Sequence, residues 1–359
     1  MMPVSDSLVR GSHTLTEILS QPEVWRSCLS RLGEETAFQS IGNKTRVRKP
    51  WLFVGCGTSF FLAEAAASSW SLLTGFPARA LPASEVLLFP QLAQLQEQDL
   101  QAVIISRSGR TSEALRAAEL LAKKYNVSTL GITCALESDL AKICELTIAL
   151  PKADEKSVVM TRSFSSMLLA LLRLAAEAAN APQFSTSIES VTKRLASDIE
   201  KWSDGVEAFS SKHAFADYIF LGQGPFFPIA REAALKVTEM SHSYAQAYHT
   251  LEFRHGPKSI VAPQTCITFF LSESGMQAES EVLLEMKELG GTIVAICNRA
   301  SEDVRRAADL LFELNVDVSE PFLLAPFVIP GQLLGYHTGV KKGFNPDEPK
   351  NLSRVVILD

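Results

Sequence analysis

The sequence predicts an α/β fold with two tandem, doubly wound domains, each built on a parallel flavodoxin-like sheet, after an N-terminal helical segment. Two observations carry this prediction. Apolar runs rich in β-branched residues alternate with segments of helical periodicity, the order expected of parallel strands joined by helices. The whole pattern also occurs twice, at a spacing of about half the chain. With 359 residues, the chain is long enough for two domains with separate cores.

The repeat is visible in two separate elements. An apolar run, a Gly-x-Gly turn and a helical pattern occur in both halves, so that Gly55 corresponds to Gly222, 167 residues later. A second strand-and-helix pattern aligns Ser106 with Ser272, 166 residues later. Because two independent elements move by nearly the same distance, we interpret the chain as two copies of one fold.

The predicted elements follow in order. The chain divides into a helical lead-in (1–48), a first domain (49–184), a helical connector (185–212) and a second domain with a C-terminal tail (213–359). Short apolar runs that do not alternate with polar residues are expected to be strands covered on both faces. These runs are 103–105, 129–133, 267–271 and 293–296. The apolar segment 164–181 is too short to cross a bilayer and is predicted to be a core helix.

Composition and charge limit the classes of partner. The chain has 47% apolar and 21% charged residues and a net charge of −6. Without a long Lys/Arg run, this charge argues against a protein that wraps nucleic acid or docks on anionic lipid. The N-terminus shows no secretory signal, and the six cysteines form no regular framework. We therefore expect a cytoplasmic protein with free thiols and no nucleic-acid or membrane partner.

A candidate anion cradle follows the predicted strand 103–105. The segment Ser-Arg-Ser-Gly-Arg-Thr at 106–111 supplies three hydroxyls and backbone N–H groups at the start of a helix. Gly109 permits close approach of the backbone to a ligand, and Arg107 adds positive charge. The same residues also fit an ordinary capped helix start with polar surface side chains. Both interpretations remain open at this point.

The two Gly-x-Gly turns argue against nucleotide cofactors. The first turn, 55–59, contains small residues and two hydroxyls, but Phe60 stands where a dinucleotide fingerprint needs a third glycine. The second turn, 222–227, lacks that glycine as well and is interpreted as strand-to-helix geometry alone. The chain contains no Gly-x-x-x-x-Gly-Lys-Ser/Thr loop. We therefore expect neither NAD nor ATP, and no other cofactor.

A cluster of charged residues follows in the second copy. Glu232, Lys236 and Glu239 are spaced four and three residues apart and therefore share one helical face. One interpretation is a solvated charged face with an ion pair, and the other is a catalytic group. His255 lies beside a Gly-Pro turn and is a candidate acid or base. The spacing of the nearby histidines matches no zinc motif, so no metal is expected.

As an ordered set, these motifs resemble the sugar isomerase (SIS) family. The resemblance rests on the tandem copies, Cys56-Gly57-Thr58-Ser59, Ser106-x-Ser108-Gly109-x-Thr111, Ala-Leu-Lys236-x-x-Glu239 and His255-Gly256-Pro257. It extends from about Trp51 to the C-terminus. The most similar groups are the isomerase half of glucosamine-6-phosphate synthase and the AgaS-type aminosugar-phosphate isomerase/deaminases.

The resemblance implies a hexose 6-phosphate ligand and assigns roles to individual residues. The implied substrate-binding residues are Cys56, Gly57, Thr58, Ser59, Ser106, Arg107, Ser108, Thr111, Val158 and Arg354. Of these, Ser59, Ser106, Ser108 and Thr111 would hold the phosphate. Glu239 would move a proton between C1 and C2, and Lys236 would be a polar companion to the sugar. His255 would assist ring opening at the neighbouring subunit's site, which implies a homodimer with shared active sites.

Two positions depart from the synthase pattern. The C-terminal segment has Arg354 where the synthases carry an imine-forming lysine, and a guanidinium cannot form that imine. Arg107 stands where glutamine is usual, which predicts additional charge near the phosphate or a second acidic group on the substrate. The chain also contains no glutaminase domain. Together these departures weaken the expectation of glutamine-dependent synthesis.

The expected function is a phosphosugar isomerase acting on an aminosugar 6-phosphate or ketosamine 6-phosphate. It would work as an isomerase/deaminase or deglycase, by Glu-mediated proton transfer between C1 and C2. One alternative is a non-catalytic phosphosugar sensor, although residues 1–48 are short for a DNA-binding effector. The others are a plain aldose–ketose phosphate isomerase and a glucosamine-6-phosphate synthase-like aminotransferase without its glutaminase domain.

Overall fold

The structure, a computed structural model, describes residues 10–34, 49–93 and 100–358. Two helices, α1 (Ser12–Leu19) and α2 (Gln21–Glu34), form the described part of the predicted lead-in. The rest of that lead-in, 1–9 and 35–48, lies outside the described residues. No helix within the described ranges is long and apolar enough to cross a membrane.

The first copy contains a five-stranded parallel sheet. Its strands are β1 (Trp51–Gly55), β2 (Ala78–Pro82), β3 (Gln101–Ile105), β4 (Ser128–Thr133) and β5 (Leu146–Ala149). Its helices are α3 (Thr58–Thr74), α4 (Ala83–Leu88), α5 (Ser112–Glu119), α6 (Asp139–Ile143) and α7 (Arg162–Ala178). The strand order is β2-β1-β3-β4-β5. Helix α7 is buried along most of its length, which confirms the predicted core helix.

A long helix, α8 (Phe184–Lys212), joins this copy to the second one. The second sheet has strands β6 (Asp217–Gly222), β7 (Tyr244–His249), β8 (Thr265–Phe270), β9 (Thr292–Cys297) and β10 (Leu310–Glu313). Its helices are α9 (Phe227–Ser241), α10 (Met276–Glu288), α11 (Glu302–Ala307) and α12 (Leu324–Lys341). The order β7-β6-β8-β9-β10 repeats that of the first sheet, and all pairs are parallel. The predicted fold class is confirmed.

The strand register refines the repeat. Val54 pairs with Ile104 in the first sheet, and its equivalent Leu221 pairs with Phe269 in the second. The third strands are therefore related by a shift of 165 residues (269 minus 104), while the first strands are related by 167. The sequence alignment of the two serines, with its shift of 166, is thus one residue out of register. Loops can absorb such a difference because they are not constrained by the sheet.

Helices α3 and α9 pack against each other and join the two copies. Arg231 of α9 pairs with Glu64 of α3 at 2.5 Å, and these residues occupy equivalent positions 167 apart. Further along, Nζ of Lys236 lies 3.1 Å from Oγ1 of Thr58, the first residue of α3. The two helices therefore run antiparallel. This packing places the carboxyl-terminal half of α9 beside the turn that follows β1.

Candidate functional site

The candidate site lies at the carboxyl ends of β1 and β3, in the first copy. These neighbouring strands mark the point where the strand order reverses, which is where ligands bind in open parallel sheets. Strand β1 leads through the turn 55–59 into α3, and β3 leads through the loop 106–111, here called the cradle, towards α5. The predicted phosphate-holding side chains therefore lie on two adjacent loops.

Hydroxyl groups of the cradle lie close together at the start of α5. Oγ of Ser106 donates to Oγ1 of Thr111 at 3.2 Å, and Oγ of Ser108 accepts from the backbone N–H of Arg110 at 3.2 Å. Gly109 has φ +61°, and a Cβ added there would lie 2.4 Å from Cβ of Ser138. A glycine is therefore required, because the turn both adopts the left-handed region and packs tightly.

The cradle also retains backbone donors. Among the described residues, the N–H groups of Arg107, Ser108 and Thr111 have no protein acceptor. Donors of this kind at the entrance to a helix can bind an anion with three or more oxygens. The first copy thus offers an open set of donors, in hydroxyl and amide form, at one end of its sheet.

The Arg107 side chain is directed away from a free anion site. Its buried guanidinium pairs with Glu155 at 3.1 Å and donates to the carbonyls of Val158 at 2.9 Å, Val159 at 3.2 Å and Arg354 at 3.1 Å. In place of the expected additional charge beside a phosphate, the structure has an arginine whose charge is neutralised inside the protein. Its side chain holds the segment 154–161 and the C-terminal tail against the cradle. This segment is called the sugar loop after the contact that the family resemblance implies.

The same buried Glu155 carboxylate organises the sugar loop, which extends from the cradle to the turn after β1. Glu155 accepts from the backbone N–H of Thr161 at 2.6 Å, from its hydroxyl at 2.9 Å and from the N–H of Ser163 at 3.1 Å. At the other end of the loop, the hydroxyl of Ser59 lies 4.0 Å from the sulfur of Met160. Val158, half-buried, lies between these anchors. The loop therefore spans from the cradle to the turn after β1.

The charged cluster on α9 is buried rather than solvated. Lys236 and Glu232 are both 0% exposed, and only Glu239 of the three reaches solvent, with 17% of its side chain exposed. Nζ of Lys236 pairs with Glu239, lies 3.4 Å from Glu232 and donates to Thr58. The solvated-face interpretation of this spacing is therefore wrong. Helix α3 covers the face that the spacing defines.

Burial and ion pairing control the protonation of this cluster. Burial raises the pKa of Glu232 to about 8, although Lys236 opposes the shift. Burial also disfavours the charge on Lys236, but the two glutamates outweigh this effect and raise its pKa above the usual value. Neither carboxylate oxygen of Glu232 has a hydrogen-bond partner within the described part of the chain. The buried cluster therefore keeps its cation, and Glu232 ionises less readily than an ordinary glutamate.

The remaining predicted residues lie in the turn after β1, in the C-terminal tail and between β7 and β8. Cys56 is half-buried, and burial raises the pKa of its thiol to about 11, so it is not a thiolate nucleophile at neutral pH. Gly57 has φ +54° at the entrance to α3. Arg354 pairs with Asp154 of the sugar loop. His255 is exposed in the segment between β7 and β8, and within the described ranges no hydrogen bond or ion pair connects it to the α9 cluster.

The corresponding loop of the second copy is filled by the protein's own carboxylates. Glu279 accepts from the backbone N–H of Ser272 at 2.7 Å and from its hydroxyl at 2.9 Å. Glu320 accepts from the N–H of Ser274 at 2.7 Å and from its hydroxyl at 2.9 Å. In the register of the strands, Ser272 corresponds to Arg107, so a carboxylate of the second copy accepts from the counterpart of an N–H that the first copy leaves open. The two copies share a fold, but of their two described loops the second is occupied by carboxylates of the protein and the first is not.

The sequence analysis identified neither Glu155 as a residue of the site nor the complete burial of Glu232. Glu155 shares its segment with Val158, but its partner Arg107 is 48 residues away and no local pattern connects them. Glu232 was visible as a member of a helical face, and the apolar residues between the charges were the available sign of burial. The carboxylates that fill the second loop gave no recognisable sequence signal.

Both copies of the fold match one known protein family. The SIS domain family model matches residues 46–177 and 216–334. A glutamine–fructose-6-phosphate aminotransferase (isomerizing) of Methanothermobacter thermautotrophicus is 27% identical over 349 residues, covering 96% of this chain and 57% of the relative. Another, from Xylella fastidiosa, is 30% identical over 324 residues, covering 85% and 51%. The chain spans about half the length of these curated relatives.

Solved structures match the fold along nearly the whole chain. A glucosamine-6-phosphate deaminase from Thermotoga maritima has 30% identity and a TM-score of 0.77, covering 97% of this chain and 100% of that one. A tagatose-6-phosphate ketose/aldose isomerase from Escherichia coli has 25% identity and a TM-score of 0.83, covering 97% and 96%. Both family matches fall on the two sheets described above. The resemblance noted from the motifs is thereby confirmed, and the chain belongs to the SIS domain family.

Proposed function

We propose that this protein is a phosphosugar isomerase that acts on an aminosugar 6-phosphate or ketosamine 6-phosphate. The observation that carries the proposal is the buried Lys236–Glu239 pair, which adjoins Thr58 at the edge of an open anion cradle. A phosphate held by Ser59, Ser106, Ser108 and Thr111 would leave the rest of the sugar beside the sugar loop. The names of the structural relatives, which include a deaminase and a ketose/aldose isomerase, agree with this class of substrate.

The proposed chemistry needs one carboxylate. Glu239 removes a proton from C1 or C2 of the open-chain sugar and returns it to the other carbon, so that the shift consumes no other reactant. Lys236 keeps its positive charge because two glutamates flank it, and it stabilises the negative charge that develops on the neighbouring oxygen. When the substrate carries nitrogen, the proton shift produces an imine. Water then hydrolyses the imine, leaving a carbonyl on the sugar and releasing the amine.

Release of nitrogen is preferred over its incorporation because of Arg354. Its guanidinium stays protonated and pairs with Asp154, so it offers no amine for imine formation with a ketose. A glutamine-dependent aminotransferase would also need a source of ammonia. We therefore place deamination or deglycation ahead of synthesis for this chain.

Proton NMR in D₂O tests the function directly. The protein is added to a panel of 6-phosphates that includes glucosamine 6-phosphate, galactosamine 6-phosphate and a fructosyl-amino acid 6-phosphate. We expect deuterium at C1 or C2 and release of ammonia or the amino acid. A sugar isomer with no amine released would indicate a plain aldose–ketose isomerase. Saturable binding without exchange at any carbon would favour the phosphosugar sensor.

We further propose that the enzyme is a homodimer in which His255 completes the partner's site. This proposal is supported by the exposure of His255 and by its lack of contact with the described α9 cluster of its own chain. At such a site, the histidine would assist opening of the sugar ring. A two-fold dimer would give each site the same pair of contributions.

Subunit complementation tests this arrangement. Glu239→Gln and His255→Asn variants, each inactive alone, are coexpressed with different tags so that mixed dimers can be purified. Mixed dimers would contain one intact site, and a randomly assembled 1:1 population should recover about a quarter of wild-type activity. Mixed dimers that stay inactive would place His255 in the site of its own chain or outside the reaction. A monomeric active protein would exclude sharing.

A further inference from the structure

We infer that helix α1 belongs to the substrate-binding apparatus, because Glu17 positions the sugar loop. The inference rests on the proposed function and deepens it, since the loop it concerns is the one expected to contact the sugar. It assigns a role to α1, which lies outside the residues matched by the family model. Glu17 would be a positioning residue, acting through the loop rather than on the substrate.

The contact between α1 and the loop is buried and polar. Glu17 is 3% exposed although it belongs to a short helix near the start of the described chain. One of its carboxylate oxygens accepts from the backbone N–H of Lys156 at 2.5 Å, and the other accepts from the hydroxyl of Ser157. Burying a carboxylate is costly unless hydrogen bonds replace its lost hydration, so these two bonds tie the position of Glu17 to that of the loop.

Helix α1 is itself held by the segment that holds Val158. The carboxylate of Asp347 accepts from the backbone N–H and the hydroxyl of Thr14, both at 2.7 Å, and from the N–H of His13 at 3.3 Å. The backbone carbonyl of the same Asp347 accepts from the N–H of Val158 at 3.1 Å. A negative side chain at the start of α1 is also favoured by the helix dipole.

These contacts connect α1, the segment of Asp347 and the cradle to the sugar loop. Glu17 holds 156–157, Asp347 holds both α1 and the N–H of Val158, and Arg107 holds the carbonyl of Val158 at 2.9 Å. Two distant parts of the chain therefore hold Val158 itself, and a third holds the two residues before it. Each additional anchor reduces the number of loop conformations that a bound sugar would otherwise have to restrict.

Phosphate binding and sugar recognition depend on different contacts. The cradle hydroxyls and N–H groups of 106–111 do not contact α1, whereas the sugar loop does. Loss of Glu17 should therefore weaken recognition of the sugar and leave phosphate binding nearly unchanged. A residue that only stabilised the fold would not make that distinction.

The test compares Glu17→Ala and Glu17→Gln with Glu23→Ala, which alters an exposed glutamate of the neighbouring helix. In wild-type protein and each variant, kcat/KM is measured with the best phosphosugar of the panel, and the Kd of inorganic phosphate is measured by calorimetry. We expect Glu17→Ala to lower kcat/KM about 10- to 100-fold, since misplaced contacts of about 1 Å have effects of this size. The Kd of inorganic phosphate should change by less than about threefold, and Glu23→Ala should match wild type.

Two further readouts separate positioning from general destabilisation. Glu17→Gln should recover part of the loss, because its amide oxygen can still accept from Lys156. Amide hydrogen exchange of 156–158 should accelerate in Glu17→Ala while exchange in β1 and β3 is unchanged. A wild-type kcat/KM in Glu17→Ala, or equal losses of phosphosugar and phosphate binding, would overturn the inference. A wild-type protein inactive on the entire panel would instead overturn the proposed function on which the inference rests.

Discussion

If Glu239 transfers the proton as proposed, replacing it by glutamine is expected to lower turnover about 10²–10⁴-fold while phosphosugar binding survives. The amide keeps the size of the side chain and its contact with Lys236, but it cannot take a proton from carbon. Lys236 retains a carboxyl neighbour in Glu232 at 3.4 Å, so the buried cation keeps one partner. The measurement is deuterium incorporation at C1 or C2 under saturating substrate, together with calorimetric binding of the same substrate.

A matched control distinguishes this effect from the loss of any glutamate. Glu281→Gln changes an exposed residue of α10, far along the chain from the cluster, and should leave exchange at the wild-type rate. If Glu239→Gln exchanged deuterium as fast as wild type, Glu239 would have no part in proton transfer. If it failed to bind substrate, its role would be in binding, and the proton acceptor would have to be sought elsewhere.

Much of the fold could be predicted because its signals are local and repeated. The strands β3, β4, β8 and β9 appear as short apolar runs, and the equivalence of Gly55 and Gly222 shows where each copy begins. Helix α7 was predictable from its continuous apolar composition. These features depend on periodicity and turn chemistry, which are readable in short windows of sequence.

Side-chain partnerships were not predictable in the same way. The spacing of the α9 charges defines a helical face but does not reveal that α3 covers it, because that packing joins residues 178 positions apart. Arg107 is also ambiguous in sequence, since its partner Glu155 lies in a loop without regular structure. The contact of Glu17 with Ser157 spans 140 positions. Each of these contacts depends on tertiary packing, which local secondary-structure propensity does not determine.

Replacing Lys236 by methionine should destabilise the protein most strongly at alkaline pH. Methionine retains an unbranched side chain of similar length but removes the cation, which leaves Glu232 fully buried without its partner. Removing one member of a buried ion pair typically lowers the free energy of unfolding by about 3–5 kcal/mol, and the full loss is expected where Glu232 is ionised. The variant should also lose turnover, because Glu239 no longer has its paired ammonium group.

The pKa of Glu232 determines how the stability of each protein changes with pH. Glu232 has a folded pKa of about 8, above its ordinary value of 4.5, so its contribution to stability is complete below 4.5 and is lost as pH rises through 8. Wild type should level off above that pH, because Glu232 is then ionised in both the folded and the unfolded state. In Lys236→Met the pKa of Glu232 rises further, because the cation that lowers it is gone. The deficit relative to wild type should therefore grow above pH 8, by up to about 1.4 kcal/mol per pH unit.

Urea unfolding at pH 7, 8 and 9, followed by circular dichroism, measures this deficit. The double variant Glu232→Gln/Lys236→Met is the decisive control, because it removes the group that titrates while keeping the cation absent. Because it lacks Glu232, it does not share the stability that wild type loses as Glu232 ionises near pH 8. Its deficit should therefore not grow above pH 8 and should narrow by up to about 1.4 kcal/mol between pH 7 and 9, and its turnover should remain low. A deficit in Lys236→Met that does not change with pH would show that Glu232 is not the desolvated carboxyl on which this argument depends. Restored turnover in the double variant would remove Lys236 from the proposed mechanism.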